Sequence, residues 1–402
     1  MPAPAFFVEL IDSLVPRKAL GSATPTFTRA TVAYVEAVPA AGNASGGTIG
    51  TAADGIQLVS VASGEARFVG ARRVSEGVWS RNYTDGTSIN RNQTKGYLAE
   101  AAGTQLVTPT AAIRDFTGTW ALTTMTAAKT STGVDGAANS ASRLTATGAG
   151  ATALITLAGA TSRTLSAYIR RVTGTGTIKL VQSATKSADL SASLNTSTYT
   201  LVQLNASTET GVAGYGIEIG TDTDAIDVDF VQFEAKAFAT SRMATAGAVR
   251  NEDLLLYASQ PNYGAAGTVF CKFTPAETTA AANRNLISID NATNNERVTF
   301  YHNSGGATLA VLVVDGGGVQ AAPDGGAFVA GTIAKCAAEW RTNYVRPWKD
   351  GVAVASADTA ATMPTTTRIV VGNSNAGSPA MGPIKDVRIW SPGLNDAQIK
   401  GL

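Results

Sequence analysis

Between Ile384 and Trp390 the chain reads Ile-Lys-Asp-Val-Arg-Ile-Trp, with apolar and polar residues in alternation. Alternation of this kind sends successive side chains to opposite faces of a strand, so the segment fits a sheet with one buried face. Upstream, Trp348-Lys349-Asp350-Gly351-Val352 sets an Asp-Gly pair between strand-forming residues. Both central positions of a two-residue hairpin need positive φ, which this pair tolerates. Arg368 to Gly372 reads as a further strand, and Ser391-Pro392-Gly393 breaks the last one before a short amphipathic close, Leu394 to Leu402. Long helical periodicity is absent, and short alternations separated by Gly, Asn, Asp, Ser and Thr clusters recur along the chain. The expectation is an all-β protein with a short helix near each end.

The 402 residues suffice for two or three domains, each with its own core. Charged residues make up 15%, against roughly 25% in an average soluble domain. Thirty-one Lys plus Arg against thirty Asp plus Glu leave a net charge of +1, which offers no electrostatic footprint for nucleic acid. No apolar run nears the roughly 20 residues that span a bilayer. Phe6-Phe7-Val8 is followed at once by Glu9 and Asp12, unlike a signal peptide. A soluble chain, neither inserted in a membrane nor exported by a cleaved signal, is expected. Two cysteines, Cys271 and Cys336, are too few for a disulfide scaffold and are expected as buried free thiols, with a bridge across the C-terminal sandwich as the alternative.

Residues that carry chemistry are sparse. One histidine and two separated cysteines cannot build a zinc tetrad, and no cofactor is expected. His302, the only histidine, reads as a solvent-facing turn residue at the end of a strand. Asp227 and Asp229 alternate along a strand near Asp222 and Asp224, which suggests a solvated face, a weak calcium site, or a pair of acids for glycoside hydrolysis. Asp290, Asn291, Asn294, Asn295 and Glu296 make a second oxygen-rich loop with the same options. Gly316-Gly-Gly318 and Gly325-Gly326 lack the context of a phosphate loop and read as turns.

Flat rings stack on the apolar face of a pyranose while amides, acids and arginines meet its hydroxyls. Trp340, Tyr344 and Trp348, with Arg341, Asn343 and Arg346 beside them, are candidates for such contact, read as one continuous strand face. Tyr344, Arg346 and Trp348 are the chosen carbohydrate contacts, since core packing has the stronger claim on Trp340 and Trp390. Trp79 and Tyr83, next to Arg81 and Asn82, form a lesser patch. The apolar stretch from Phe6 to Val15, with Phe6, Phe7 and Leu10, is either an arm that docks on a partner or a segment packed on its own domain.

The C-terminal strings resemble the close of a concanavalin A-like lectin or laminin-G-type domain, with Gly267-Thr-Val-Phe-Cys-Lys-Phe-Thr-Pro275 as its first strand. A second resemblance is to bacteriophage tail and other virion proteins. Thr26 to Tyr34 is similar to their "Thr-Phe-Thr-Arg-Ala-Ser-x-Ala-Thr-Tyr", Ala66-Arg67-Phe68 to "Pro-Arg-Phe", and Gly96 to Leu106 to "Gly-Leu-Leu-Ile-Glu-x-x-x-Thr-Asn-Leu", with Gln105 where Asn is usual. Phe116-x-x-x-Trp120 resembles the opening of that family's carbohydrate-binding-module-like jelly roll, and Val231 to Ser241 its "Ala-Gln-Leu-Glu-x-Gly-x-x-x-Thr-Ser" end.

The resemblance implies two β-sandwich (jelly-roll) modules in series behind a mostly β or irregular N-terminal attachment region: 1–110, 111–241 and 242–402. It implies a virion structural protein, assembled in the host cytoplasm, that attaches to bacterial surface glycan as a tail fibre or other appendage without catalysis. Expected partners are other virion proteins and further copies of the chain, a trimer first. The alternatives are a neck, collar or capsid-surface fibre of purely structural role, and a polysaccharide depolymerase.

Overall fold

In the computed structural model of the chain, residues 102–402 are described apart from 161–162, 184–185, 205–208, 237–238, 244–248, 251, 281 and 376. Before residue 102 the described segments are 6–8, 26–28, 32–39, 47–50, 55–63, 65–69, 71–75, 78–80, 83–84, 89–90 and 96–100. The architecture is almost wholly β, as the alternating sequence requires, and the strands build two sandwiches.

The middle sandwich stacks two five-stranded antiparallel sheets. One carries Ala151–Ala160, Glu209–Ile219 and Ile178–Ser183 side by side; the other carries Ala141–Ala146, Ala225–Glu234 and Thr164–Thr173. Their inner faces bury Leu144, Ile169, Leu180, Ile217 and Val228. Phe116 and Trp120 stack with centroids 4.2 Å apart, and the indole N–H donates to Ala112 O at 2.9 Å. The Phe-x-x-x-Trp spacing thus closes one end of this core.

The second sandwich is shared between the two ends of the chain. One eight-stranded sheet is centred on Gly267–Phe273 between Ala334–Arg341 and Gly382–Trp390. Its far side is completed by Gly96–Ala99 and then Phe68–Val69. The other sheet runs Thr26–Thr28, Leu254–Tyr257, Arg368–Val371, Arg284–Asp290, Arg297–Asn303, Thr308–Asp315. Tyr97, fully buried, meets the rings of Phe27 and Phe68 at 6.1 and 6.2 Å, so aromatic residues of the first hundred help fill the core of the last hundred and fifty. The N-terminal region therefore supplies strands to both C-terminal sheets. Phe6–Val8 also pairs with Gly382–Trp390, Phe6 opposite Ile389. The backbone of Phe6 and Phe7 lies on the chain's own sheet, which corrects the arm reading for these two residues; Leu10 lies outside the described residues.

The Asp-Gly hairpin forms as read. Asp350 and Gly351 take φ of +51° and +77°, and Lys349 sits opposite Val352. The close is the helix Asp396–Lys400, too short to stand alone. Asn395 accepts from Gln398 N at 3.0 Å while the Gln398 side chain accepts from Asn395 N at 3.0 Å, a reciprocal cap. Leu394 and Ile399 are buried against Phe270, Trp348 and Trp390, each apolar side chain contributing about 1.5–3 kcal/mol. Packing fixes this helix more than its propensity does.

Candidate functional site

The aromatic patch read from residues 340–348 does not exist as one face. Asn343 takes φ of +56° and turns the chain, so Trp340 and Tyr344 lie on neighbouring strands, Ala334–Arg341 and Tyr344–Lys349, with Arg341 opposite Tyr344. Trp340 points into the main core and donates from Nε1 to Tyr263 O at 3.0 Å. Trp348 is 1% exposed, enclosed by Phe270, Ala337, Trp390, Leu394 and Ile399. The Arg346 guanidinium sits 4.9 Å from its ring centroid and bonds Ala355 O and Asp396. Arg341 covers the Tyr344 ring at 3.8 Å. Trp348 has no face free for a sugar, and Arg346 and Tyr344 are engaged within the fold, which corrects this assignment. The Trp79 and Tyr83 side chains lie outside the described residues.

The paired acids are likewise not solvated. Asp227 and Asp229 are both fully buried. Asp229 holds Arg114 through Nε and Nη2 at 2.7 and 2.8 Å and accepts from Val134 N and Phe230 N at 2.8 and 2.9 Å. Arg114 grips Asp135 as well, at 2.7 and 2.8 Å. Asp227 is bonded by Arg143 at 3.0 and 3.2 Å, by Arg170 and by Ser131. Burial alone raises the Asp227 carboxyl, but these donors outweigh it and hold it below the ordinary 3.8. A bulge, with Phe230 at φ of +45°, shifts the register beside Asp229. Asp224 accepts from Gly176 N at 2.7 Å and faces Arg171, while Asp222 caps Thr223 N. The oxygens of Asp224, Asp227 and Asp229 are engaged by arginine, serine and backbone donors while Asp222 is exposed, and among the described residues no group of three or more His, Cys, Asp or Glu is placed to hold a metal.

His302 also departs from expectation. It is fully buried, its Nε2 3.0 Å from Thr278 O and its ring 4.7 Å from Phe328, because two separate loops, one holding Thr278 and the other Phe328, fold over the strand end. Cys271 and Cys336 are directly opposite on adjacent strands, both buried and free, and burial pushes the Cys336 thiol well up. In the oxygen-rich loop Asp290 is buried and pairs with Arg368, Glu296 accepts from Gly316 N and Thr365 N at 2.7 and 3.1 Å, and Asn294 and Asn295 are exposed.

A groove of about 150 Å³ opens on the second sheet of the C-terminal sandwich. Alternation along Arg297–Asn303 sends Val298 and Phe300 to the core and leaves Arg297, Thr299 and Tyr301 on the other face. Across the register, Asn285 lies opposite Tyr301, and Ser288 and Leu312 flank Thr299. The segment after Arg368–Val371 forms one wall, fastened by Asn285: its backbone N–H donates to Ser378 O at 2.8 Å and its amide to Ser374 Oγ and Gly377 O at 2.9 and 2.7 Å. Thr299, Tyr301, Ser374, Ser378 and Arg297 line the space, with the Ser374 hydroxyl itself donating to Gly377 O at 3.0 Å. Arg297 donates from Nη1 to Asn294 Oδ1 at 2.9 Å, while its buried Nε has no acceptor. No hydrogen bond from a described residue reaches the Tyr301 hydroxyl. Sequence reading missed this site because its residues are individually ordinary. The available signal was the outward triplet Arg297, Thr299, Tyr301 in an alternating strand.

A larger cavity of about 320 Å³ lies where the N-terminal segment meets both sandwiches. Its walls include Val69, Leu98, Leu201, Pro275 and Pro383, and its polar groups bond one another: the Tyr168 hydroxyl donates to Glu36 at 2.7 Å and Arg242 to Ser166 Oγ at 2.7 Å.

Residues 254–400 match the Concanavalin A-like lectin/glucanases superfamily, and the C-terminal part of the chain is a lectin/laminin-G domain of that kind. Similar solved structures include domain 4 of AbnA, an extracellular arabinanase from Geobacillus stearothermophilus, in complex with arabinotriose, at 13% identity over 37% of this chain and 72% of that one, TM-score 0.31. The CBM40 of the Ruminococcus gnavus IT-sialidase bound to α2,3 sialyllactose is 14% identical over 34% and 81%, TM-score 0.29. Domains LG4-5 of the mouse laminin α1 chain are 12% identical over 59% and 85%, TM-score 0.26. No curated protein matches the chain.

Proposed function

We propose that the chain binds glycan without acting on it, through the groove of its lectin-like domain, as a structural protein of a bacteriophage particle. The observation that carries the binding reading is one groove lined by Thr299, Tyr301, Ser374, Ser378 and an incompletely satisfied Arg297. A sugar presents both apolar faces and many hydroxyls, and a site with one ring and several small polar groups complements it. The engagement of Asp227 and Asp229 by arginines supports a non-catalytic role, because a glycosidase needs two carboxyls facing a cleft. The placement in a virion, on a tail fibre or another surface appendage, is supported by the Thr26 to Tyr34, Gly96 to Leu106 and Val231 to Ser241 strings. Further copies of the chain, in a trimer, would multiply weak contacts into avidity.

Binding of the purified chain to immobilised bacterial surface polysaccharides tests the reading. Tyr301→Phe removes a hydroxyl without opening the groove, and losing one hydrogen bond of about 1 kcal/mol weakens binding about fivefold. Unchanged binding by Tyr301→Phe places the sugar elsewhere. Release of reducing ends from the polysaccharide favours the depolymerase reading, and a chain that binds none of them is a spacer in the appendage. Immunogold labelling of intact particles tests the virion placement.

A further inference from the structure

We infer that the groove takes an acidic glycan, one whose sugar carboxylate meets the guanidinium of Arg297. The inference rests on the glycan-binding reading and narrows its substrate class. Arg297 forms no ion pair with a described residue, and only Nη1 has an acceptor, Asn294 Oδ1 at 2.9 Å. Nε is buried in the groove with nothing to donate to. A buried donor left unmet destabilises the fold, and an acceptor bound in the groove that Arg297 lines relieves that cost. Burial also depresses the Arg297 guanidinium, and the nearby Asp290 charge opposes that without cancelling it.

The obvious internal partner is already occupied. Asp290 accepts from Arg368 Nε and Ala292 N on Oδ1 and from Ser288 Oγ on Oδ2. Nη2 of Arg297 has no acceptor among the described residues and Nε is closed from solvent, so a carboxylate in the groove meets the guanidinium fork from its Nη2 side. A single cation with the Asp290 carboxylate nearby suits a singly charged carboxylate better than a doubly charged phosphate. The Tyr301 hydroxyl then meets a ring hydroxyl of the same sugar.

Calorimetric titration of the full chain with matched oligosaccharides tests this: a uronate-containing oligosaccharide against its carboxyl-reduced form, and a sialylated one against its desialylated form. The acidic member of at least one pair should bind at least tenfold more tightly, and the pair that responds identifies the source of the carboxylate. Arg297→Gln should erase that ratio while leaving the melting temperature unchanged, and Arg297→Lys, a point charge without the fork, should retain part of it. Equal affinity for acidic and neutral members, or a ratio that survives Arg297→Gln, overturns the inference and leaves glycan binding standing. If no member of either pair binds, this inference falls, and the glycan reading then depends on the polysaccharide assay alone.

Discussion

The two sandwiches treat what lies outside their main cores in opposite ways. In the middle one, a buried sheet face is ionic: Asp227 and Asp229 are fully enclosed, and Arg114, Arg143 and Arg170 neutralise them. In the C-terminal one, the outer face of one sheet is sealed by an apolar layer, Trp348 with Trp390, Leu394 and Ile399, and the other sheet keeps an open groove with an unpaired guanidinium. Closed charge holds a fold together. Charge with a free edge in a groove is available to a ligand, and that contrast separates a structural module from a binding one more clearly than the shared sandwich architecture does.

The contrast breaks first at Arg114. Arg114→Met leaves Asp229 buried with its bidentate partner gone and Asp135 without its own, and stranding a buried charge costs about 3–5 kcal/mol. Chemical denaturation followed through Trp120 should show that loss, and adding Asp229→Leu should recover part of it. If Arg114→Met is neutral, the ionic layer is not structural. Trp348→Ala should cost a similar or slightly smaller amount, about 3–5 kcal/mol, by opening a cavity under the C-terminal helix. An unaltered denaturation midpoint with a loss of glycan binding would instead restore Trp348 as a surface contact.

Much of the architecture was legible because it rests on local rules. The Asp350-Gly351 turn, the alternation of Ile384 to Trp390 and the Phe116-Trp120 spacing each specify a short piece of backbone or one aromatic contact. The resembling strings were recognisable for a less local reason, which the structure supplies. Arg67, Glu100 and Ser241 come from three separate strings and meet Asp253 in one buried cluster: Arg67 pairs with Asp253 and, at 2.9 Å, with Glu100, which accepts from Ser241 N at 3.0 Å. Gln105, where Asn is usual in the resembling string, also ties strings together, bonding Val231 O, Val107 N and Phe233 N at 3.0 to 3.1 Å. Buried polar residues that need specific partners tolerate little substitution, so they leave a signature. The failures share a cause as well. Nothing local marked the turn at Asn343, so Trp340 and Tyr344 were put on one face. Burial of Trp348, His302 and Asp227 depends on elements tens of residues away: the closing helix, the two loops that hold Thr278 and Phe328, and the arginines of other strands.

Acid should separate the two sandwiches by a smaller effect. Burial, and then the Arg284 charge, hold His302 below the ordinary 6.5, with the Thr278 carbonyl opposing. The unfolded chain therefore binds the proton first, and by linkage the stability from neutral His302 is complete above about pH 6.5 and falls as pH drops toward its lower folded value. Asp227 is also held low, but from 3.8, so its contribution persists until the pH falls below that. Glu339, raised by burial from 4.5, and Asp229, raised by burial from 3.8, have the opposite sign, so their protonation offsets acid destabilisation and does not cause it. Urea unfolding followed by limited proteolysis and mass spectrometry should show C-terminal core peptides released at lower urea at pH 5.5 than at pH 7, with a slope of at most about 1.4 kcal/mol per pH unit. Peptides from the middle sandwich should hold until pH 4. His302→Gln keeps a donor for the Thr278 carbonyl but cannot titrate, so it should flatten the slope; a slope that persists in His302→Gln assigns the acid sensitivity to other groups.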